Sequence, residues 1–244
     1  EYMKLSAYEK KLTEQFDSIA LVSSKEAELF RSLVNTPLRE KIHAVSNGVD
    51  SVFFNHKNKF ESISLPRKMV AFTGAMDYWA NEEAVDWFCK NAWPRVVAKH
   101  PGACFYIVGT NPSPGVLALN NGTTVIVTGR VKDVRPYLNA SAVVVAPLRI
   151  ARGIQNKVLE ALSMEKFVVG TTMAFEGIEY KDRTLDVFVT DDEAGFSEAI
   201  IRQLDMIDKS EEPLSSKENR TFVTDFYNWD AKLSSLTGLL QNDV

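Results

Sequence analysis

Short apolar runs alternate along the chain with longer stretches in which apolar residues recur every three or four positions. The short runs are rich in Val, Ile and Phe, which favours buried strands, and the longer stretches have the period of amphipathic helices. The predicted strands are residues 19–23, 42–46, 69–74, 104–109, 124–129, 142–147, 167–170 and 186–190. The predicted helices lie near residues 24–34, 81–99, 133–139, 153–164 and 194–207.

Strands that are apolar along their whole length, with helices between them, are typical of a parallel sheet covered on both faces. We therefore predict an α/β fold with a Rossmann-like, doubly wound parallel sheet and right-handed crossovers. With 244 residues, of which 45% are hydrophobic and 25% charged, the chain is long enough to bury one large core.

Two changes along the chain indicate domain boundaries. Residues 46–50 (SNGVD) carry an Asn-Gly turn signal, and residues 55–68 are polar, which is typical of a linker and loop. The last helical pattern, residues 228–240, has its large apolar residues on one stripe, so this helix needs a partner surface. That stripe consists of Trp229, Leu233, Leu236 and Leu240. The predicted units are residues 1–39, 40–227 and 228–244.

The net charge of the chain is -4 and no block of like charges occurs, so a basic surface for nucleic acid is not expected. Cys89 falls in a predicted helix and Cys104 in a predicted strand, which favours reduced core thiols over disulfides. No apolar run approaches the roughly 20 residues that a spanning helix needs, and the start EYMKLSAYEK lacks the apolar core of a signal peptide. We expect a cytoplasmic location.

The stretch ARGIQNKVLEAL, residues 151–162, follows a predicted strand and has an apolar and a polar face. The polar face consists of Gly153, Asn156, Lys157 and Glu160. Ligands of open α/β sheets lie at the carboxyl ends of the strands, and free N–H groups at a helix start favour phosphate. This pattern predicts a nucleoside diphosphate with its phosphates near Gly153, its ribose near Glu160 and Lys157 between them. At 1.5 Å per residue the two ends of this face are about 10 Å apart.

The alternative interpretation of the same helix is an exposed Lys157–Glu160 ion pair, worth roughly a few tenths of a kcal/mol, beside a loop glycine. Further glycines favour the ligand site. Gly74, Gly109 and Gly129 each end a predicted strand, where a glycine lets the backbone approach a ligand closely.

The motifs VSNGVDSVFF, VAFTGAMDYWANEEAVDWF, FYIVGTNPSP, VIVTGRVKDVRPYLNASAVVVAPLR, GIQNKVLEALSMEKFVVGT and FEGI occur in this order. In this order they resemble the C-terminal, donor-binding half of GT-B glycosyltransferases of the large retaining group 1 family. Within it they are most similar to the bacterial sugar transferases of the PEP-CTERM/exosortase exopolysaccharide system. The resemblance runs from about residue 40 to the end, and residues 1–37 are similar to the last helix and strand of the N-terminal acceptor domain. It implies that most of that domain is absent from this chain.

The resemblance implies roles for several residues. In the family, the second of two glutamates separated by seven residues binds the donor ribose, and VLEAL places Glu160 at that position. The loop around Gly74 would lie against the donor diphosphate, and the backbone of Arg130 and Val131 would contact the base. The family position of the first glutamate is occupied here by Arg152.

A second departure concerns the phosphate contacts. The Arg and Lys that usually follow the first strand of the domain are missing, and GAMDYWAN stands in their place. Contacts to the diphosphate must then come from other cations. The candidates are Arg149, Arg152 and Lys157.

The resemblance further implies the activity and the partners. The intact enzyme would transfer a sugar, with retention at the anomeric carbon, from a nucleotide diphosphate donor to a glycan or lipid-linked acceptor. The process would be exopolysaccharide or cell-surface glycan synthesis. No cofactor and no metal are implied, and the catalytic residues stay unassigned because the acceptor domain is largely missing. We expect this chain alone to be inactive, and we leave open a weak dimer and a peripheral association of the intact enzyme with the inner membrane face.

Two alternatives on the same fold stay open, namely a sugar-nucleotide epimerase and a non-catalytic module that binds nucleotide sugars. An epimerase would need a cluster of catalytic carboxylates and histidines, which the sequence does not show. A dinucleotide-dependent oxidoreductase would carry G-x-G-x-x-G after its first strand, and TGAMDYWAN and VGTNPSPG do not fit that spacing.

Structural roles are the interpretation of the remaining polar residues. His100 ends a helix before a Pro-Gly turn, and Glu176 is interpreted as a pocket-edge or a turn residue. The predicted helix caps are Asp77, Asn81, Asp133 and Arg135.

Overall fold

The computed structural model of the protein describes residues 1–61, 63–180 and 183–241. The strands are β1 (Ile19–Leu21), β2 (Ile42–Ala44), β3 (Met69–Thr73), β4 (Cys104–Val108), β5 (Val125–Gly129), β6 (Val143–Ala146), β7 (Val168–Gly170) and β8 (Val187–Val189). Each of the predicted strands is present and is at most two residues shorter than predicted. The strand pattern of the sequence is therefore confirmed.

The first helices in chain order are α1 (Tyr2–Gln15), α2 (Ser24–Leu33), α3 (Thr36–Arg39), α4 (Trp79–Trp87), α5 (Trp93–Lys99) and α6 (Pro114–Ala118). The others are α7 (Arg135–Ala140), α8 (Asn156–Ser163), α9 (Thr172–Phe175), α10 (Glu193–Lys209), α11 (Lys217–Phe226) and α12 (Trp229–Gln241). The predicted helix 81–99 is two helices joined by a π-helical turn, Phe88–Ala92. Pro94 in the first turn of α5 lacks the N–H of a regular helix, which accounts for the break.

Six parallel strands form one sheet in the order β5-β4-β3-β6-β7-β8, so the predicted doubly wound parallel sheet is confirmed. From β3 the chain winds outwards to β5, then returns to the other side of β3 and continues outwards to β8. The two windings separate at β3 and β6, which are neighbours in the sheet. A crevice opens at such a switch point, outside the carboxyl ends of the two strands.

The sheet is central to the hydrophobic core. All residues of β3 and β6 are buried because helices flank the sheet. An aromatic cluster packs the π-helical turn and α5 against β4 and α10. It consists of Phe88, Trp93, Phe105 and Phe196. On α8, Val158, Leu159 and Leu162 are fully buried, which confirms that one face of this helix packs into the core.

A second, two-stranded parallel sheet pairs β1 with β2. Ala27, Val34 and Ile42 form a small core of their own beside it. The boundary predicted near residue 40 falls between these two paired strands, and β2 is not a member of the six-stranded sheet. The short run 42–46 looks like the other strands in sequence, and its pairing with β1 is a long-range contact that periodicity does not reveal.

The C-terminal helices lie against the segment that follows β2. The Val49 amide donates to the Tyr227 carbonyl (2.7 Å), and a Cβ on Gly48 would approach the Trp229 backbone to 2.9 Å. On α12, Trp229 is 42% and Leu233 43% exposed, so their stripe is open to a partner. The side chain of Leu240 and residues 242–244 lie outside the described part of the chain. Among the described helices, none is long and apolar enough to cross a membrane.

Candidate functional site

A cleft of about 600 Å³ opens at the switch point of the sheet. The carboxyl ends of β3 and β4, the loop after β5, the start of α8 and Phe53 line it. Thr73, the last residue of β3, is buried there, and its hydroxyl has no hydrogen-bond partner within the described residues. Buried polar groups are normally paired, so this hydroxyl is an exception in the wall of the cleft.

Gly74 and Gly109 form the floor of the cleft and lie in close contact. A Cβ on Gly109 would overlap the Gly74 carbonyl oxygen. Beyond the strands, the Gly74 amide donates to the Val108 carbonyl (3.1 Å) and the Met76 amide to the Thr110 carbonyl (2.7 Å). The glycines therefore allow the two loops to continue side by side along the edge where the cleft opens.

The wall formed by α8 begins later than the sequence suggests. The helix starts at Asn156, and Gly153 lies before it in a loop with φ 64°, in the left-handed region that favours glycine. A Cβ on Gly153 would face Val22, 3.4 Å away, rather than the cleft. The prediction that Gly153 opens the helix is thus wrong, and its contact with the phosphates stays a prediction. Gln155 precedes the helix without a side-chain cap, so the first-turn N–H groups are those after residue 155.

Lys157 and Glu160 both line the cleft from α8. Burial lowers the pKa of Lys157 to about 7, against the opposing effect of the Glu160 charge. Burial likewise raises the pKa of Glu160 to about 6, and the Lys157 charge opposes that rise. The Lys157 ammonium donates to Asn81 and lies 4.1 Å from the centre of the Phe72 ring. These contacts and shifts do not fit the alternative of a solvated surface ion pair.

The prediction that Asn81 caps a helix is wrong. The helix α4 begins at Trp79 after Tyr78, so Asn81 lies inside the first turn. Its Nδ2 donates to the Ala75 carbonyl (2.8 Å), and its Oδ1 accepts from Lys157. Asp77 is not a cap either, since it accepts a hydrogen bond from the Asn111 side chain (3.0 Å).

The opposite wall consists of Val131, Lys132, Asp133, Val134 and Phe53. Arg135 supports this wall from behind: its Nη2 donates to Asp133 (2.6 Å), and its guanidinium stacks 3.8 Å from the centre of the Phe53 ring. The side-chain hydrogen bond from Arg135 lowers the pKa of Asp133. Asp133 also accepts from the Arg135 amide (2.9 Å). The N-cap of α7 is Val134, however, and Arg135 is the first residue of the helix, so the prediction that Asp133 and Arg135 cap it is wrong.

The structure brings together only part of the predicted site. Of the described candidate residues, those that line the cleft are Gly74, Gly109, Val131, Lys157 and Glu160. Arg130 and Arg152 are exposed outside its walls, as is Arg149, whose Nε lies 3.9 Å from Glu83. Sequence reasoning interpreted Asn81 as a helix cap and gave Phe53 no role, although both lie in motifs of the family resemblance. Each reaches the cleft through contacts with distant residues, which the motifs do not reveal.

One cluster of potential metal ligands occurs among the described residues, at the amino end of β3 and far along the strands from the cleft. It contains His100, Asp205 and Asp208. The Lys68 ammonium lies 2.6 Å from Asp208 and 3.2 Å from His100 Nδ1, and His100 Nε2 lies 3.2 Å from Asp205. The Lys68 ammonium pairs with Asp208, so the cluster ties α10 to β3 and fits the structural role predicted for His100.

A second cavity, of about 560 Å³, lies between α9, α11 and α12. Two cations that line it already contact aromatic rings. Arg183 lies 3.8 Å from the centre of the Phe226 ring, and Lys232 lies 4.2 Å from the centre of the Tyr227 ring. Glu176 borders this cavity and pairs with Lys25 of α2 at 3.5 Å. Glu176 also directly follows the last residue of α9, so it lies both at a pocket edge and at a turn, and its contact joins α2 to the larger sheet domain.

The sequence model of a family described as Glycosyl transferases group 1 matches residues 67–206, more than half of the chain. Solved structures are similar in fold. TarM has a TM-score of 0.72 and 15% identity, over 97% of this chain and 46% of that chain. A glycosyltransferase from Rickettsia africae ESF-5 has a TM-score of 0.70 and 14% identity, over 98% of this chain and 66% of that chain. Anabaena Alr3699/HepE in complex with UDP and glucose has a TM-score of 0.70 and 12% identity, over 97% of this chain and 66% of that chain.

The chain thus spans between about half and two thirds of the length of these similar structures. No curated protein sequence matches the chain significantly.

Proposed function

Since the chain belongs to the group 1 glycosyl transferases, we propose that its cleft binds the nucleoside diphosphate part of a sugar donor. The observation that carries the proposal is the position of Lys157 and Glu160 on one face of α8, directly at the switch point of the sheet. In the intact enzyme the donor sugar would be transferred to an acceptor. The fold and the family support a transferase, and the donor and acceptor are part of the proposal.

The walls of the cleft suggest how the donor lies. The base would lie between Val131 and Phe53, and the ribose hydroxyls would donate to the Glu160 carboxylate. The diphosphate would lie over Gly74 near the Lys157 ammonium and the first N–H groups of α8. The HepE structure that this chain resembles contains UDP and glucose, which supports a uridine nucleotide as the first ligand to test.

The role of Arg152 has two forms in this proposal. It would contact the diphosphate, or it would read a carboxylate on an acidic donor sugar such as a uronate. The exposed position of Arg152 outside the cleft walls favours a contact with the distal part of the donor. Arg149 is held near Glu83 and Trp87 and would need to move before it could contact phosphate.

The finer parts of the proposal rest on the sequence motifs from residue 45 to Ile178 that resemble the family. We propose retention at the anomeric carbon and a role in exopolysaccharide synthesis of the PEP-CTERM/exosortase type. The acceptor would be a glycan or a lipid-linked glycan, and no metal or cofactor would take part. The exposed Trp229 and Leu233 support a weak dimer or a contact with further parts of a longer protein. Turnover by the full-length protein would separate a transferase from an epimerase or a pure binding module.

Calorimetric titration of this chain with UDP, GDP, ADP and NAD tests the proposed ligand class. We expect one nucleoside diphosphate to bind better than the other two and much better than NAD. Transfer of sugar to the native acceptor is not expected from this chain alone. Preferential binding of NAD, or binding of none of the nucleoside diphosphates, would refute the assignment of the cleft.

The affinity for the nucleoside diphosphate should pass through a maximum between about pH 6 and pH 7. The Lys157 amine, with a pKa of about 7, loses its charge as the pH rises through 7, which weakens its attraction for phosphate. The Glu160 carboxylate, with a pKa of about 6, is protonated as the pH falls through 6 and then no longer accepts both ribose bonds.

The matching nucleoside, which carries no phosphate, serves as the control for this profile. Its affinity should rise with pH through 6 and then stay constant above 7. Titrations at half-unit steps from pH 5 to 8.5 measure both profiles. A diphosphate affinity that does not change between pH 6.5 and 8.5 would exclude a titrating Lys157 as its partner.

A further inference from the structure

The most specific contact in the cleft joins two segments that are 76 positions apart in sequence. Asn81, which is 7% exposed, lies between the loop after β3 and the side chain of Lys157 on α8. One side of its amide donates to the Ala75 carbonyl (2.8 Å), and the other side accepts from the Lys157 ammonium. Both halves of a buried amide are therefore used, and its orientation is determined by its two partners.

The surroundings leave little freedom for the amine. Lys157 Nζ lies 4.1 Å above the Phe72 ring, and a Cβ on Gly74 would approach it to 3.1 Å and Asn81 Nδ2 to 2.8 Å. A side chain at position 74 would thus press on the contact between Asn81 and Lys157. Because Gly74 has no side chain, the Asn81 amide and the Lys157 ammonium have space to meet at the base of the cleft.

We propose that Asn81 is the positioning residue of this cleft, holding the Lys157 ammonium against the Gly74–Ala75 loop so that this lysine meets the diphosphate there. The inference rests on the proposed function and adds to it the residue that holds the phosphate-binding cation. Lysine has a long flexible stem, and fixing it before the ligand arrives lowers the conformational entropy lost on binding.

The chemistry of an amide suits this role better than that of a carboxylate. An amide oxygen holds the ammonium through one hydrogen bond but does not cancel its charge, so the charge stays available for phosphate. A carboxylate at position 81 would form an ion pair with Lys157 and would repel the phosphates. The Asn81→Asp variant keeps the shape of the side chain but replaces the donor to the Ala75 carbonyl with an acceptor oxygen. It should weaken binding of the diphosphate and leave the nucleoside affinity close to that of wild type.

The test compares Asn81→Ala and Asn81→Asp with the wild-type chain. Affinities are measured for the tightest binder among UDP, GDP and ADP and for its nucleoside. Asn81→Ala is expected to weaken the diphosphate about tenfold and Asn81→Asp by at least as much, and neither should change the nucleoside affinity by more than about twofold. In the background of Lys157→Met, Asn81→Ala should cause no further loss, because the residue that it positions is gone.

A second measurement follows the uptake of a proton by Lys157 when the diphosphate binds. In wild type, binding of the diphosphate at pH 7.5 should take up a proton at Lys157, which is seen as a dependence of the binding enthalpy on the ionisation enthalpy of the buffer. Asn81→Asp should abolish this uptake, since its carboxylate keeps Lys157 protonated in the free chain. If residue 81 did not contact Lys157, Asn81→Asp would leave the buffer dependence unchanged.

Asn91→Ala is the matched control, since Asn91 Nδ2 makes a comparable bond to the Trp87 carbonyl (2.8 Å) and does not line the cleft. It should leave both affinities unchanged. Equal losses for diphosphate and nucleoside in Asn81→Ala, or a diphosphate affinity within twofold of wild type, would overturn the inference. If Asn81→Ala does not fold, Asn81→Asp decides by the same criteria. Wild-type binding of the diphosphate in these experiments separates failure of this inference from failure of the proposed function.

Discussion

Replacing Gly109 with alanine is expected to lower the free energy of unfolding by about 3 kcal/mol and to remove nucleotide binding. The added methyl group would overlap the Gly74 carbonyl oxygen, and backbone cannot rotate away as a flexible side chain would. The loops after β3 and β4 would have to separate, and their bonds from Gly74 to Val108 and from Met76 to Thr110 would be strained. Because Gly74 also adjoins Asn81 and Lys157, the shift would disturb the phosphate side of the cleft.

Urea unfolding and calorimetric titration measure the two effects of this substitution. Gly102→Ala is the control, since a Cβ on Gly102 meets nothing within 4 Å. That variant should stay within about 0.5 kcal/mol of wild type and bind nucleotide normally. A Gly109→Ala chain with unchanged stability would show that the two loops can separate without cost, contrary to their close packing in the structure.

The largest expected effect on binding alone comes from Lys157→Met. Methionine keeps an apolar stem against Phe72 but removes the ammonium. Loss of a charged hydrogen bond costs about 1.5 to 3 kcal/mol, so the affinity for the nucleoside diphosphate should fall about 10- to 150-fold. The nucleoside affinity should stay within about twofold, because no phosphate is involved.

Two further variants serve as comparisons for Lys157→Met. Glu160→Gln should weaken the binding of nucleoside and diphosphate alike, because both ligands contain the ribose. Arg152→Ala should weaken the diphosphate by about 1.5 to 3 kcal/mol if its guanidinium holds phosphate. From its exposed position we expect a smaller loss than for Lys157→Met. If Arg152→Ala leaves the diphosphate unchanged and lowers the affinity for a nucleotide uronate, Arg152 reads the sugar carboxylate. A Lys157→Met chain that binds the diphosphate like wild type would contradict the assigned position of the phosphates.

The sequence by itself determined the strands, the α/β class and the side of α8 that faces the cleft. These features are local, since burial on both faces makes a strand apolar throughout, and burial on one face gives a helix a stripe. The positions of Lys157 and Glu160 on the polar face followed from that period, and both line the cleft. Strand-end glycines were readable for a similar reason, because the loop conformation limits the residue at that point.

Some local features were nevertheless misread. The helix α11, with Phe222 and Val223 buried, has a short pattern between polar residues and was not predicted. The start of α8 was placed at Gly153, since a glycine beside a strand end resembles a phosphate-binding turn. Its positive φ belongs instead to a loop that packs on Val22, and the helix begins at Asn156.

Only the tertiary structure decided the strand order, and with it the place of the switch point between β3 and β6. It also brought Asn81 to Lys157, pressed Gly109 against Gly74, and left the three candidate arginines outside the cleft. Each of these outcomes depends on contacts between residues far apart in sequence. Hydrophobic periodicity records how deeply a residue is buried but not which distant residue it meets, and that choice is made when the helices and the sheet pack together.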